Sequence, residues 1–274
     1  MSANIGFRLN RQKEIEFYTI PSFEETRIVK HGFTTRIGGA SPHPFHSLNL
    51  GLNTEDNEEN IVRNFETISD ALEVPMDKMV LSDQVHGTNI RIITEDDGGK
   101  GLVKPMDFKE IDGLLTNVKG IMLFTFYADC VPLFFLDRAK KVAGVAHAGW
   151  KGTVAKIGEK MIKTMVSTYS SNPEDILVGI GPSIGTCCYS VKKDVHDQFN
   201  NNFINTIGIF SNQDIYTWQL DLWKANEIIL KENGILSRNI TISNLCTSCN
   251  TEKFFSYRNE QGNTGRMAAF IQLI

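Results

Sequence analysis

Between Leu133 and Ala146 the chain reads LFFLDRAKKVAGVA, two continuous apolar runs separated by a short charged stretch. A parallel crossover needs a dozen residues or more, so a connection this brief predicts an antiparallel hairpin. The runs do not alternate with polar residues, which is the pattern of strands buried on both faces. If Asp137 pairs with Val142, successive partners keep the same index sum, and His147 falls opposite Pro132. Cys130 lies two residues beyond that partner, roughly 7 Å along an extended chain. A thiol and an imidazole are thereby brought to one end of a single hairpin.

Further strands are expected at Ile90 to Ile93, Ile121 to Tyr127, Ile176 to Ile180 and Ile240 to Ser243, and helices at Asn57 to Leu72, Thr153 to Tyr169, Lys193 to Phe199 and Leu222 to Glu232. Alternating elements together with the hairpin predict a mixed α/β chain with mixed sheets. With 274 residues, no repeat and no long linker, a single catalytic domain spanning 1–274 is the simplest organisation. The net charge of −4, without a basic face, argues against nucleic acid as a partner. No apolar stretch reaches the roughly 18 residues of a membrane span. The N-terminal stretch lacks the apolar core of a signal peptide, so a cytoplasmic location is expected. The odd count of five cysteines in such a chain makes a disulfide framework improbable.

His86, in SDQVHGTNI before a strand, joins Cys130 and His147 as a chemically consistent set. Two imidazoles and one thiolate suit zinc with a vacant fourth position, and copper also accepts two His and one Cys. Two other readings stay open at this level. Cys130 can be a small buried hydrophobe, or it can pair with His147 as a nucleophile and base. Thr153 is a plausible N-cap, and the preceding GWKG turn would then set backbone N–H groups and Lys151 at a helix N-terminus suited to an anion. FTTRIGGAS carries Arg36 in a second glycine-rich turn. CTSC at 246–249 has no second CxxC, which argues against a structural four-cysteine zinc. Cys187 and Cys188, adjacent in sequence, would point apart in an extended segment. These four cysteines are expected in walls or core. The histidine count of six allows at most one mononuclear site, too few ligands for several coppers.

Taken in order, DQVHG, DGLLTN, ADCVPLFFLD, AGVAHAGWKGT, GIGPSIGTCCYSV and FFSYR followed by TGRMAAFI resemble the signature of a bacterial family. It was first labelled multicopper polyphenol oxidase, or laccase-domain, and is now regarded as a family of purine nucleoside phosphorylases. The resemblance runs from HGFTTRIGGAS at His31 onward and leaves the first thirty residues or so peripheral. It implies layered mixed sheets with flanking helices, a fold similar to the catalytic domain of deamidating toxins. It places the metal ligands, zinc or copper, and the catalytic centre on His86, Cys130 and His147. It implies phosphorolysis of adenosine, inosine and S-methyl-5'-thioadenosine, with adenosine deamination as a further activity. On that footing Arg36 and Lys151 are expected to hold phosphate, with Asn49, Gln84 and Arg266 as further wall residues. A Cys130–His147 hydrolase and a copper-dependent polyphenol oxidase are the alternatives. Thr186 and Ser190 depart from the proline and glutamate common at those family positions, which bears on nucleoside preference.

Overall fold

The double burial expected of the hairpin is realised by layers on both sides of it. In the computed structural model, which describes residues 6–212, 214 and 216–274, Val131–Asp137 and Val142–Ala148 are antiparallel neighbours. Asp137 faces Val142 and Pro132 faces His147, as the index sum requires. Val131, Leu133 and Phe135 point to one core and Phe134 and Leu136 to another, the alternation that a pleated strand imposes.

The hairpin lies inside a six-stranded sheet ordered Ile240–Ile242, Ile176–Ile180, Val131–Asp137, Val142–Ala148, Gly113–Thr116 and Ile90–Ile92. A second six-stranded sheet runs Arg8–Gln12, Ile15–Thr19, Val29–Thr34, Met267–Leu273, Met122–Tyr127 and Met79–Leu81. Each sheet mixes parallel and antiparallel pairs. Between them, Phe134, Leu136, Ala143 and Val145 meet Phe33, Leu123, Tyr127, Ala269 and Ile271. Glu58–Leu72 covers the outer face of the second sheet through Ile61, Phe65 and Ile68. Ile157–Tyr169 and Leu222–Glu232 cover the outer face of the first through Met161, Ile162, Met165, Ile229 and Leu230. The layering is helix, sheet, sheet, helix, with a small third sheet of Ser190–Val191, Trp218–Leu220 and Phe210–Asn212 at one side. The expected mixed α/β class is what forms. No helix among the described residues is long and apolar enough to cross a membrane.

Three expectations are corrected. The first thirty residues are not peripheral as a whole: Ile15, Ile20 and Phe23 are fully buried, and Ile15–Thr19 is an inner strand of the second sheet. Residues 1–5 of the stretch read for a signal peptide lie outside the described residues. The second apolar run does not stop at Ala146, because its strand continues through His147 to Ala148. Thr153 is no N-cap. A short helix, Trp150–Val154, starts from Gly149, and Lys156 in the left-handed region (φ 60°) breaks it from Ile157–Tyr169. That break lets the longer helix turn Ile157 and Met161 onto the sheet while the short one stays beside His147.

Phe270 is fully buried, edge-on to Phe17 and tilted against Phe124 in the core beneath Glu58–Leu72. Phe270→Ala is expected to cost about 3–5 kcal/mol, read as a lowered midpoint in urea unfolding with the folded spectrum retained.

Candidate metal centre

Asp112, fully buried at the start of Gly113–Thr116, organises the site. Its carboxylate accepts hydrogen bonds from the backbone N–H groups of Val85 (3.2 Å), His86 (3.0 Å) and Gly87 (2.7 Å), and its Oδ1 lies 2.8 Å from His147 Nδ1. Its backbone carbonyl also accepts from the His147 N–H at 2.8 Å. One acid thus fixes the loop of one histidine and the ring of the other. With Nδ1 held by the carboxylate, His147 presents Nε2 to the site, the orientation that a metal-ligating imidazole takes from a carboxylate partner. Burial works against the Asp112 carboxylate, but the bonds from His147, Val85 and Gly87 outweigh it and hold its pKa below the usual range.

His86 sits in the left-handed region (φ 61°), as does Asp129 (φ 82°), the residue before Cys130. Left-handed backbone at non-glycine residues persists where the surroundings enforce it. For Asp129 those surroundings are Thr247 Oγ1 (2.6 Å), Ser256 Oγ (3.0 Å) and the Arg258 N–H (2.7 Å), all donating to its carboxylate. The result is that one ligand atom from each of His86, Cys130 and His147 lies within 4.8 Å of the others. Gly149 packs directly on them: a Cβ there would meet Cys130 Sγ and His86 Cδ2 at 3.0 Å each. Its lack of a side chain is a matter of space, since its φ of −62° suits any residue.

Burial would push the Cys130 thiol up, but His147 beside it, and hydrogen bonds from His147 and His86, bring it down to about 6. Burial likewise disfavours a charged His147, yet Cys130 and Asp112 together raise it to about 9. Two imidazoles, a thiol disposed to ionise and a carboxylate behind one imidazole make a donor set that could hold zinc with a position to spare. Copper fits the same donors.

A cavity of about 1040 Å³ opens over the triad. Its wall includes Gln84, Trp150, Tyr189, Tyr257, Arg258 and Arg266. Of the residues expected to bind substrate or phosphate, only Gln84 and Arg266 reach it. Gln84 is engaged with the backbone of Phe126 through both ends of its amide, at 2.9 and 2.6 Å. Arg266 donates to its own strand's entry, at Thr264 O and Gly265 O. Asn49 is buried and accepts from the N–H groups of Gly51 and Arg266 while donating to Thr54 and Asp56, so it shapes the wall from behind. Arg36 is spent on Glu260 (2.9 Å) and on the carbonyls of His46 and Thr251, and lies over Phe255. Lys151 is exposed and reaches back toward the Trp150 ring. Neither cation lines the cavity. Sequence reasoning missed Asp112, although it opens DGLLTN, and Arg258, although it closes FFSYR. It also expected a single ion site, whereas the sulfurs of Cys187, Cys188, Cys246 and Cys249 form a second group with the same 4.8 Å limit. Cys187 and Cys188 lie in a turn, where adjacent side chains need not diverge.

Asp112→Asn is expected to weaken zinc binding roughly 10–100-fold, the usual cost of removing such a partner, in competition against a chromophoric chelator. In metal-free protein, alkylation of Cys130 should rise to half its maximum near pH 6. The lowered pKa means that thiolate is present above that value and is lost as pH falls through it. A half-point near the ordinary thiol range would contradict this.

The family described as multi-copper polyphenol oxidoreductase laccase matches residues 30–274. The chain is 43% identical over 242 residues to the purine nucleoside phosphorylase YlmD of Bacillus subtilis, covering 88% of this chain and 87% of that one. It is 34% identical over 250 residues to human purine nucleoside phosphorylase LACC1, covering 89% of this chain and 55% of that protein. The crystal structure of YlmD from Geobacillus stearothermophilus superposes with a TM-score of 0.90 at 35% identity, over 97% of this chain and 98% of that one. The chain therefore belongs to the family described as multi-copper polyphenol oxidoreductase laccase, among relatives named purine nucleoside phosphorylase.

Proposed function

We propose that the chain is a zinc-dependent purine nucleoside phosphorylase acting on adenosine, inosine and S-methyl-5'-thioadenosine, with adenosine deamination as a side activity. The observation that carries this reading is the convergence of His86, Cys130 and His147 beneath a cavity with room for a nucleoside, into which two arginines also reach. The names of the relatives supply the reaction class. We place the activity in one catalytic domain, working in the cytoplasm, where the five cysteines, all free, would stay reduced.

In phosphorolysis a phosphate oxygen forms a bond to C1′ of the sugar, and the electrons of the C1′–N9 bond leave with the purine, which takes up a proton. Arg258 and Arg266, which share the cavity lining with Lys104, would hold the phosphate, since Arg36 and Lys151 do not line the cavity. Arg258 is braced over the Tyr189 ring at 5.1 Å and donates to Ser190 O at 3.2 Å, which fixes its guanidinium at the rim. Tyr189, Tyr257 and Trp150 offer ring faces to a purine. His86, Cys130 and His147 would hold the zinc, which would supply Lewis acidity. Asp112 keeps His147 oriented through Nδ1 and so preserves that arrangement while substrate exchanges.

The lowered thiol of Cys130 beside the raised imidazole of His147 supports a second reading, a Cys–His hydrolase. One experiment separates the two. Purified protein is incubated with adenosine with and without phosphate, and products and bound metal are quantified. Adenine and ribose 1-phosphate appearing only with phosphate, one zinc at the triad, and activity abolished by a strong chelator are expected. Arg258→Ala should raise the phosphate KM about tenfold or more, in line with the loss of one charge-assisted contact. Turnover that ignores both phosphate and chelator but dies on alkylation of Cys130 would favour the hydrolase. Copper in place of zinc would show in the metal analysis.

A further inference from the structure

Four of the five cysteines take no part in the site above, yet their sulfurs converge. Cys187 and Cys188 come from the turn after Ile176–Ile180, and Cys246 and Cys249 from the turn after Ile240–Ile242. These two strands are parallel neighbours, so both turns leave the same end of the sheet, and a bridge between Ser183 and Cys246 continues their pairing outward. Cys249 Sγ lies 3.4 Å from Cys187 Sγ and 3.3 Å from Cys188 Sγ, and all four sulfurs lie within 4.8 Å of one another.

We propose that Cys187, Cys188, Cys246 and Cys249 form a second metal site that holds one tetrahedral zinc ion, separate from the catalytic triad. Zinc–sulfur bonds of about 2.3 Å place tetrahedral thiolates about 3.8 Å apart, a separation that lies between the 3.3 Å of the closest pair and the 4.8 Å limit of the group. A polynuclear cluster attaches its thiolates to different metal atoms and would spread them further. An all-thiolate tetrahedral set selects zinc among the common divalent ions. The backbone is arranged for it: the Gly185 N–H points at Cys246 Sγ at 3.2 Å, a donor suited to a thiolate. A Cβ on Gly185 would lie 3.4 Å from Cys187 Sγ and 3.0 Å from the Trp223 ring, so the turn packs closely round the sulfurs. Cys187 and Cys249 are exposed, which gives an ion a route in. On binding, each thiol gives up its proton to water.

The ion would clamp two segments that build the cavity wall. Ile184 and Tyr189 flank the first cysteine pair and line the cavity. Thr247, between the second pair, donates to Asp129 next to Cys130, and the Ile184 N–H donates to the Asp129 carbonyl at 2.9 Å.

The test uses the whole chain, reduced, stripped of metal and titrated with cobalt(II) and then zinc. Two equivalents are expected, one of them producing intense thiolate-to-cobalt charge-transfer bands that survive in Cys130→Ser. The Cys188→Ser/Cys249→Ser double variant should lose those bands and bind one equivalent. Should that variant fail to fold, peptide mapping of wild-type protein gives the same information: zinc should shield all four thiols from alkylation, and a chelator should expose them. One equivalent that disappears in Cys130→Ser, alkylation indifferent to zinc, or a disulfide from Cys249 to Cys187 or Cys188 in the metal-replete protein would each overturn the proposal.

Discussion

A single buried carboxylate carries the geometry of the His86–Cys130–His147 group. Asp112 is removed from water completely, and an ionised acid there is tolerable only because every bond it accepts is supplied by the protein. Three of those donors are backbone amides of the loop that carries His86, and the fourth is the ring of His147. The cost of leaving any of them unmade keeps the loop folded against the strand. The histidines consequently meet although 61 positions separate them in the chain (147 minus 86). Cys130 arrives by a different route, through the register of a hairpin whose faces are both buried and whose pairing cannot slip without exchanging the side chains fitted to its two cores.

Those two routes differ in how readily a sequence betrays them. Hairpin register follows from arithmetic once the turn is located, and Asp137 against Val142 was enough to put His147 opposite Pro132. Glu58–Leu72 and Leu222–Glu232 were equally visible, because their capping residues and apolar spacing agree. Strands such as Met267–Leu273 were not picked out. Their apolar residues serve two different cores, so MAAFIQL carries no clean alternation. The resemblance to a known family points to His86, Cys130 and His147, but Asp112 reaches His147 and the loop of His86 from another segment, and no spacing rule describes such a contact.

Arg36 and Lys151 each accompany glycines in a turn, a local criterion, and neither lines the cavity. Arg36 instead meets Glu260, more than two hundred residues away, and Lys151 lies exposed over the Trp150 ring on a helix of five residues. The cysteine pairs are separated in sequence, 187–188 in one turn and 246–249 as half of a motif without its other half. Two parallel strands ending side by side supply the missing half. Local patterns report secondary structure well and long-range neighbours poorly, and a binding site is made of long-range neighbours.

The position of Met267–Leu273 has a consequence for biosynthesis. It is inserted between Val29–Thr34 and Met122–Tyr127, strands that leave the ribosome far earlier. Until residues 267–273 emerge, two apolar edges stand open with their amides unpaired, inviting association with other nascent chains. Folding of this sheet is therefore set by synthesis of its last strand, and a half-made polypeptide would depend on chaperones for longer than its size alone suggests.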